Sequence, residues 1–372
     1  MTDKDANTTA ALTELRKKID NVDENIQTLI NQRATYATEV AQLKKGSRSH
    51  TDTYFYRPER EAQVLRSVME RNQGPLSDEA MAHLFRQIMS SCLALEQKMK
   101  VAYLGPEGTF TQSAALKHFG EAVDTVALNT IDDVFREVES GSAHYGVVPV
   151  ENSSEGVVNH TLDSFIQSGL KICGEVELRI HHHLLISDVA QPDNITRIYS
   201  HQQSLAQCRQ WLDTHWPNVE RIAVNSNAEA AKRIKSEWHA AAIASETAAK
   251  IYGLTKLASN IEDNPQNTTR FLIIGKQQVA ASGEDKTSII ISTSNKPGAL
   301  YHLLAPFQAQ DISLTRIETR PSKTGVWAYV FFMDFEGHEQ DVKVQQVFAD
   351  IEQQGVELKR LGSYPKAVLG AD

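Results

Sequence analysis

Apolar residues recur at alternating steps of three and four over the first part of the chain, which is the spacing of a heptad. This spacing predicts one long helix with a single apolar seam, formed by Leu12, Leu15, Ile19, Val22, Ile26, Leu29, Tyr36, Val40 and Leu43. A helix over residues 12–43 would be roughly 48 Å long. A single small bundle cannot cover so long a seam, so we expect a partner chain to cover it.

The seam is interrupted by Arg33, and Lys44 lies eleven residues further along the same face, roughly 16 Å away. A guanidinium in such a seam is costly unless an anion meets it. The two cations could therefore bracket a small dicarboxylate. The alternative is that both extend to solvent as ordinary helix charges.

Two shorter helices are predicted next. Pro58 suits the first turn of a helix that carries Val64, Leu65, Val68 and Met69. Ser77 can cap a third helix, whose apolar seam consists of Met81, Phe85, Ile88, Cys92, Leu95 and Met99. The pattern predicts an all-α domain over residues 1–97.

From residue 101 onward, short apolar runs alternate with helical stretches, which is typical of α/β architecture. The predicted strands are residues 101–104, 145–150, 195–199, 240–244 and 271–274. We expect the chain to cross between two lobes near 179–186 and again near 260–271. The lobes would then comprise about 100–178 with 262–278, and 182–261, within a domain over 100–278.

Four of these strands lead into polar junctions before helices, at residues 105–111, 151–156, 200–204 and 245–247. Hydroxyls and free N–H groups at helix starts bind anions, and ligands of α/β sheets bind outside the carboxyl ends of the strands. The junctions therefore predict a ligand cleft. For any single junction, the alternative is that its Ser or Thr only caps the helix.

The C-terminal region predicts a ferredoxin-like α+β domain over residues 286–366. After an expected linker at residues 282–285, the pattern is β-α-β-β-α-β, with elements at 287–293, 298–308, 312–318, 327–334, 342–353 and 356–361. Such a domain could bind a ligand, or it could serve only for dimerisation.

Composition excludes several classes of function. The net charge of −9 argues against a nucleic-acid partner. No apolar run reaches membrane-spanning length, the N-terminus does not read as a signal peptide, and the three cysteines form no Cys-x-x-Cys pair. We therefore expect a cytoplasmic protein without a membrane partner. His181, His182 and His183 would alternate in a strand and cannot converge, so we expect no metal site.

Three central segments combine hydroxyl, amide or guanidinium groups with an adjacent apolar run, which suits a carboxylate beside a dry pocket. They are Gly105-Pro106-Glu107-Gly108-Thr109-Phe110, Glu151-Asn152-Ser153-Ser154-Glu155-Gly156 and Thr269-Arg270-Phe271. These segments resemble the signature segments of prephenate dehydratase. The helical region before them resembles an AroQ-type chorismate mutase, and the region after them resembles an ACT domain. Nearly the whole chain is therefore similar to the bifunctional chorismate mutase–prephenate dehydratases.

This resemblance implies an intertwined helical dimer, or a higher oligomer, joined to a dehydratase domain like the two-lobed periplasmic binding proteins and to a regulatory ACT domain. It implies an enzyme that converts chorismate to prephenate and prephenate to phenylpyruvate without cofactor or metal, inhibited by phenylalanine. Two alternatives stay open. The dehydratase substrate could be arogenate, or the protein could be a non-enzymatic amino-acid-binding regulator.

For the mutase, the family's pattern implies that the substrate is bound by Arg16, Arg33, Lys44, Arg60, Glu61 and Glu96. Arg16 would reach into the partner's site, and Arg33, Lys44 and Glu96 would act in catalysis. Many relatives have Gln where this chain has Glu96, and Glu96 can donate to the ether oxygen of chorismate only when it is protonated. That role requires a raised pKa. Arg57 and Cys92 also replace an Asp and a Ser of some relatives.

For the dehydratase, the pattern implies that Thr269 is the hydrogen-bond donor at the departing hydroxyl, and that Arg270 holds a carboxylate or braces the loop. The remaining substrate or positioning groups would be Asn152, Ser153, Ser200 and Gln207. Phe271 should pack in the core.

In the ACT domain, phenylalanine would be bound by two motifs, which comprise Gly298, Ala299 and Leu300, and Glu318, Thr319 and Arg320.

Overall fold

The structure is a computed structural model that describes residues 3–46, 55–293, 296–321 and 329–371. The helical region consists of α1 (Asp3–Gly46), α2 (Pro58–Arg71) and α3 (Asp78–Glu96). Pro58 occupies the first turn of α2, and the Ser77 side chain caps α3 by accepting from the Ala80 amide. In the described residues no helix is both long and apolar enough to span a membrane.

The seam of α1 lies on the surface. Its apolar side chains are between 46% exposed (Val40) and 76% exposed (Leu43). The described residues thus leave a continuous apolar stripe uncovered.

The third helix ends before one predicted seam position. It stops at Glu96, and Met99 instead packs in the core of the following domain. The expectation that Met99 extends the α3 seam is therefore wrong, whereas Leu95 lies in the last turn of α3 and is 63% exposed.

The central region forms two lobes, each built on its own sheet. The first contains β1 (Lys100–Leu104), α4 (Phe110–Phe119), β2 (Asp124–Leu128), α5 (Ile131–Ser140), β3 (Tyr145–Asn152), β4 (Gly156–Val157), α6 (Asn159–Gln167) and β5 (Lys171–Arg179). The second contains β6 (His183–Ile186), β7 (Arg197–His201), α7 (Gln202–Gln207), α8 (Arg209–His215), β8 (Glu220–Val224), α9 (Asn227–Ile234), β9 (Ala240–Ala244), α10 (Glu246–Tyr252) and β10 (Thr255–Ala258). The chain then returns to the first lobe as β11 (Thr268–Gly275).

The strand orders define the lobes. The first sheet runs β2-β1-β3-β11-β5, with β4 beside β3, and the second runs β10-β6-β9-β7-β8. Because β11 pairs antiparallel with both β3 and β5, the returning strand lies in the middle of the first sheet. The predicted two-lobed α/β class is confirmed.

The C-terminal region forms a third sheet. Its elements are β12 (Asp285–Thr293), α11 (Ala299–Ala309), β13 (Leu314–Pro321), β14 (Tyr329–Glu336), α12 (Val342–Gln353) and β15 (Glu357–Pro365). The strand order β13-β14-β12-β15 is antiparallel and ferredoxin-like, so the predicted α+β class is confirmed. The first two residues of the predicted strand 327–334 lie outside the described residues.

Both faces of this third sheet are covered. Along β12, Ile289 and Ile291 pack under α11 and α12, whereas Ile290 packs against the first lobe. Residues 282–285, expected to be a linker, form a tight turn instead, because the buried Asp285 carboxylate accepts hydrogen bonds from the amide and hydroxyl of Ser282.

Candidate active sites

A cavity of about 480 Å³ lies among the three N-terminal helices. Helix α1 contributes Arg33 and Lys44, α2 contributes Arg60 and Glu61, and α3 contributes Glu96. These side chains meet because the heptad spacing places the two α1 cations on one face, towards the start of α2 and the end of α3. The walls between them are mostly apolar and include Ala37, Val40, Val64, Met89 and Leu93.

The charges of this cavity favour an anionic ligand. Four cations (Arg33, Lys44, Arg57 and Arg60) face two carboxylates, Glu61 and Glu96. Burial raises the pKa of Glu61, although Arg86, at 3.3 Å from its carboxylate, acts in the opposite direction. A ligand with two carboxylates would balance the excess of positive charge.

Arg16 does not line this cavity. It precedes Arg33 by seventeen residues on α1, a separation of roughly 25 Å along the helix.

A second cavity, of about 470 Å³, lies in the cleft between the two lobes. Three of the four predicted junctions line it: Gly105 and Thr109 follow β1, Asn152 ends β3 and Glu155 follows it, and Gln203 follows β7. Gly108 has a φ of +91°, and an added Cβ would lie 3.2 Å from Ala248, so this close approach requires glycine. The fourth junction does not line the cavity: Ser245 accepts from the Ala248 amide, which caps α10, and donates to the Gly108 carbonyl at 3.0 Å.

Thr269 and Asn152, which both line the cleft, contact each other directly. The Asn152 side-chain amide donates to the Thr269 hydroxyl oxygen at 2.7 Å. The orientation of that amide is fixed, because its oxygen accepts from the backbone amides of Ser154 and Glu155. Because the Thr269 oxygen accepts this bond, its own hydrogen is directed elsewhere and can be donated to a ligand.

Models of three families match the chain: chorismate mutase type II over residues 15–97, prephenate dehydratase over 101–279 and ACT domain over 287–353. The bifunctional chorismate mutase/prephenate dehydratase of Stutzerimonas stutzeri is 63% identical over 95% of this chain and 98% of its own length. That of Pseudomonas aeruginosa is 62% identical over the same shares. The chain belongs to the bifunctional chorismate mutase/prephenate dehydratase family. Among solved structures, prephenate dehydratase from Arthrobacter aurescens in complex with L-Phe matches with a TM-score of 0.67 at 32% identity, covering 73% of this chain and 91% of its own.

One residue of the family's dehydratase signature does not lie in the cleft. The Arg270 guanidinium contacts Glu175 at 2.9 Å, Asp334 at 2.6 Å and the Tyr364 hydroxyl at 3.0 Å. Because neighbouring strand residues face opposite sides of a sheet, Thr269 faces the cleft and Arg270 faces the ACT domain. The expectation that Arg270 holds a substrate carboxylate is wrong, and the bracing alternative agrees with these contacts.

Two serines expected at the substrate also lie outside the cavity lining. Ser200 is fully buried, with its hydroxyl 2.9 Å from both the Asn227 side-chain oxygen and the Ile243 carbonyl. Ser153 donates to Asn267 and accepts from the Thr268 amide, which ties its loop to β11. Both therefore hold neighbouring segments in place, which is the positioning alternative.

Gln207 does line the cleft, and its partner there is a histidine that the sequence suggested only as a metal ligand. His182 is 1% exposed, lines the same cleft and lies 2.8 Å from the Gln207 side-chain oxygen through its Nε2. Burial lowers the pKa of His182, which favours the neutral form of its ring. The other two histidines contact different residues, His181 with Glu262 and His183 with the Asn260 amide. The described residues contain no group of three or more His, Cys, Asp or Glu able to hold a metal.

The two ACT motifs lie at the start of α11 and along β13. Gly298 has a φ of +79° at the start of α11, followed by Ala299 and by Leu300, which is 40% exposed. On the edge strand β13, exposure alternates through Glu318, Thr319 and Arg320, and Arg320 pairs with Asp163 of the first lobe at 3.0 Å.

Proposed function

We propose that this protein converts chorismate to prephenate in the helical cavity and prephenate to phenylpyruvate in the cleft between the lobes. The main observation in favour of this proposal is that two separate cavities of the chain are lined by different residue sets. Arg33, Lys44, Arg60, Glu61 and Glu96 of the mutase pattern line the first, and Asn152, Gln207 and Thr269 of the dehydratase pattern line the second. The proposed domain limits are residues 1–97 for the mutase, 100–278 for the dehydratase and 286–366 for the ACT domain.

In the mutase reaction the ether C–O bond of chorismate breaks while a C–C bond forms, and no proton needs to be transferred. The protein must select the reactive conformer and stabilise negative charge on the ether oxygen. Arg33, Lys44 and Arg60 would hold the two carboxylates. Glu61 would accept from the substrate hydroxyl, and a protonated Glu96 would donate to the ether oxygen.

In the dehydratase reaction prephenate loses its ring carboxylate as carbon dioxide and its ring hydroxyl as water. The electron pair of the breaking C–C bond aromatises the ring, and the departing hydroxide needs a proton. Thr269 would donate a hydrogen bond to that hydroxyl, strengthened by the bond that its oxygen accepts from Asn152. Phe110 and Phe271, which line the cleft, offer the apolar surroundings in which a carboxylate loses its charge readily.

A homodimer completes the proposal. The exposed seam of α1 suits a second copy of the same seam, and such a copy would bring its Arg16 to this chain's cavity. Phenylalanine would bind at Gly298, Ala299 and Leu300 and at Glu318, Thr319 and Arg320, and lower dehydratase turnover. The three free, buried cysteines suit a reducing compartment such as the cytoplasm.

The test is to incubate the purified protein with chorismate and measure phenylpyruvate by its absorbance under alkali. Formation of phenylpyruvate is expected. Conversion of arogenate in preference to prephenate would favour the first alternative, and binding of amino acids without any turnover would favour the non-enzymatic regulator.

A further inference from the structure

The paired strands β3 and β11 carry two residue pairs that face opposite ways. In their antiparallel register Asn152 is opposite Thr269, and Glu151 is opposite Arg270. Side chains alternate along a strand. The Asn152–Thr269 pair faces the cleft, so the Glu151–Arg270 pair, one residue away on each strand, faces the other side of the sheet, where the ACT domain packs.

Both outward-facing residues are held by the ACT domain. Glu151 pairs with Arg316 of β13 at 3.1 Å, and Arg270 pairs with Asp334 of β14 at 2.6 Å. Three of these four side chains are nearly inaccessible, with 9% exposure for Asp334, 11% for Arg316 and 12% for Arg270, whereas Glu151 is 42% exposed. Charge-assisted contacts of this kind are short and geometrically specific.

The Arg270 contact belongs to a wider buried network. Ser288 of β12 donates to the second Asp334 oxygen at 2.6 Å, and its hydroxyl lies 2.7 Å from that of Tyr364. On the first-lobe side, Glu175 contacts Arg270 and also Lys286 of β12, at 2.8 Å. The guanidinium is therefore fixed between two domains.

A small displacement of Glu151 or Arg270 would also move the catalytic pair, Asn152 and Thr269. Each outward residue is the chain neighbour of a cleft residue, and the strand register shifts between Arg270 and Phe271. Such irregularities are common next to active sites, where they orient a side chain. Catalytic groups must be held to within about 0.5 Å, so loss of the outer contacts should disturb the bond between Asn152 and Thr269.

We propose that Glu151 and Arg270 are positioning residues of the dehydratase, through which Arg316 and Asp334 of the ACT domain hold Asn152 and Thr269 in their catalytic geometry. This inference rests on the proposed function and adds a route for regulation. Arg316 lies on the same strand as Glu318, Thr319 and Arg320, so a ligand bound to that strand can act on Glu151 through Arg316.

The test uses Glu151→Gln, Arg316→Gln and the double variant in the full-length protein. The kcat and KM for prephenate are measured with and without phenylalanine, and mutase turnover of the same samples reports on folding. Each single variant should lower the dehydratase kcat about threefold to thirtyfold, with little change in KM or in mutase turnover. The double variant should lose no more than the worse single variant, because the two side chains act as one pair.

Two further variants sharpen the test. Arg360→Gln removes an ion pair with Glu352 within the ACT domain and should leave both activities unchanged. The exchange Glu151→Arg with Arg316→Glu should restore part of the lost kcat and of the phenylalanine response.

Additive losses in the double variant, equal losses of mutase and dehydratase turnover, or wild-type kcat in Arg316→Gln would each overturn the inference. Absence of prephenate turnover in the unaltered protein would instead overturn the proposed function.

Discussion

At the scale of single residues, the helical cavity places two carboxyl groups in opposite roles. Glu61 must be ionised to accept a hydrogen bond from the substrate hydroxyl, whereas Glu96 must be protonated to donate one. Burial raises the pKa of Glu61, against the effect of Arg86, so this group becomes protonated at a higher pH than an ordinary glutamate.

We therefore predict a bell-shaped pH profile for mutase kcat/KM. The value should fall on the acid side as Glu61 gains its proton, and on the alkaline side as Glu96 loses its own. Glu96→Gln should flatten only the alkaline limb, and Glu61→Gln only the acid limb. Steady-state mutase assays across pH provide the measurement, and a limb unchanged in its matching variant would assign that titration to another group.

Predictions about single residues were correct where the spacing along a helix fixed the face on which a side chain lies. They were wrong where the face of a strand had to be known. Arg33 and Lys44 were placed on one face by helix geometry alone, and both line the helical cavity. Arg270 adjoins Thr269 in the family's signature, and only the sheet shows that it faces the ACT domain. His182 was considered only as a metal ligand, because its contact with Gln207 joins residues that are distant in sequence.

At the scale of elements, the predicted strands are mostly those inside the sheets. The sequence did not predict the edge strands β2, β5, β8 and β10, the short β4, or β6, which lies between β10 and β9. β2 and β8 have no fully buried position, and β5 is interrupted by Gly174 and Glu175. Apolar runs therefore identified most of the strands with neighbours on both sides, but not β6, which has only four residues and begins at His183.

The α1 helix supports a prediction about association. The α1 seam is exposed in the single chain and would be buried in the proposed dimer. Leu29→Glu would place an unpaired charge in that buried seam, which is costly, so the variant should be monomeric. Mutase turnover should fall about 100-fold, because Arg16 would no longer reach the partner's cavity. Light scattering and mutase assays provide the measurements.

Asn31→Glu, on the opposite face of α1, is the matched control and should remain dimeric and active. A monomeric Leu29→Glu variant with full mutase turnover would refute a shared site.

At the scale of the whole molecule, the C-terminal residues join the helical domain to the rest of the chain. After β15 the chain runs back to α2 and α3, where Leu369 is 4% exposed and packs against Leu65 and Ala82. The Gly370 carbonyl accepts from the Lys117 side chain, and the Ala371 carbonyl from the Arg179 amide at 2.7 Å. The core of the helical domain is thus completed from the opposite end of the sequence.

Leu369→Ala should accordingly destabilise the helical domain by about 2–5 kcal/mol, the usual range for a buried leucine. Mutase turnover should decline at lower urea concentrations than dehydratase turnover does. Val342→Ala, at a side chain that is 83% exposed, serves as the control and should unfold like the unaltered protein. Identical urea midpoints for Leu369→Ala and the control would show that the tail contributes nothing to this core.

The central claim is that one chain carries two chemically independent active sites that act in sequence. It is tested most directly by incubating the Thr269→Ala variant with chorismate and following chorismate, prephenate and phenylpyruvate over time by chromatography. Chorismate should be consumed at the unaltered rate while prephenate accumulates, with phenylpyruvate formed about 100-fold more slowly. Unconsumed chorismate, or phenylpyruvate formed at the unaltered rate, would refute the independence of the two sites.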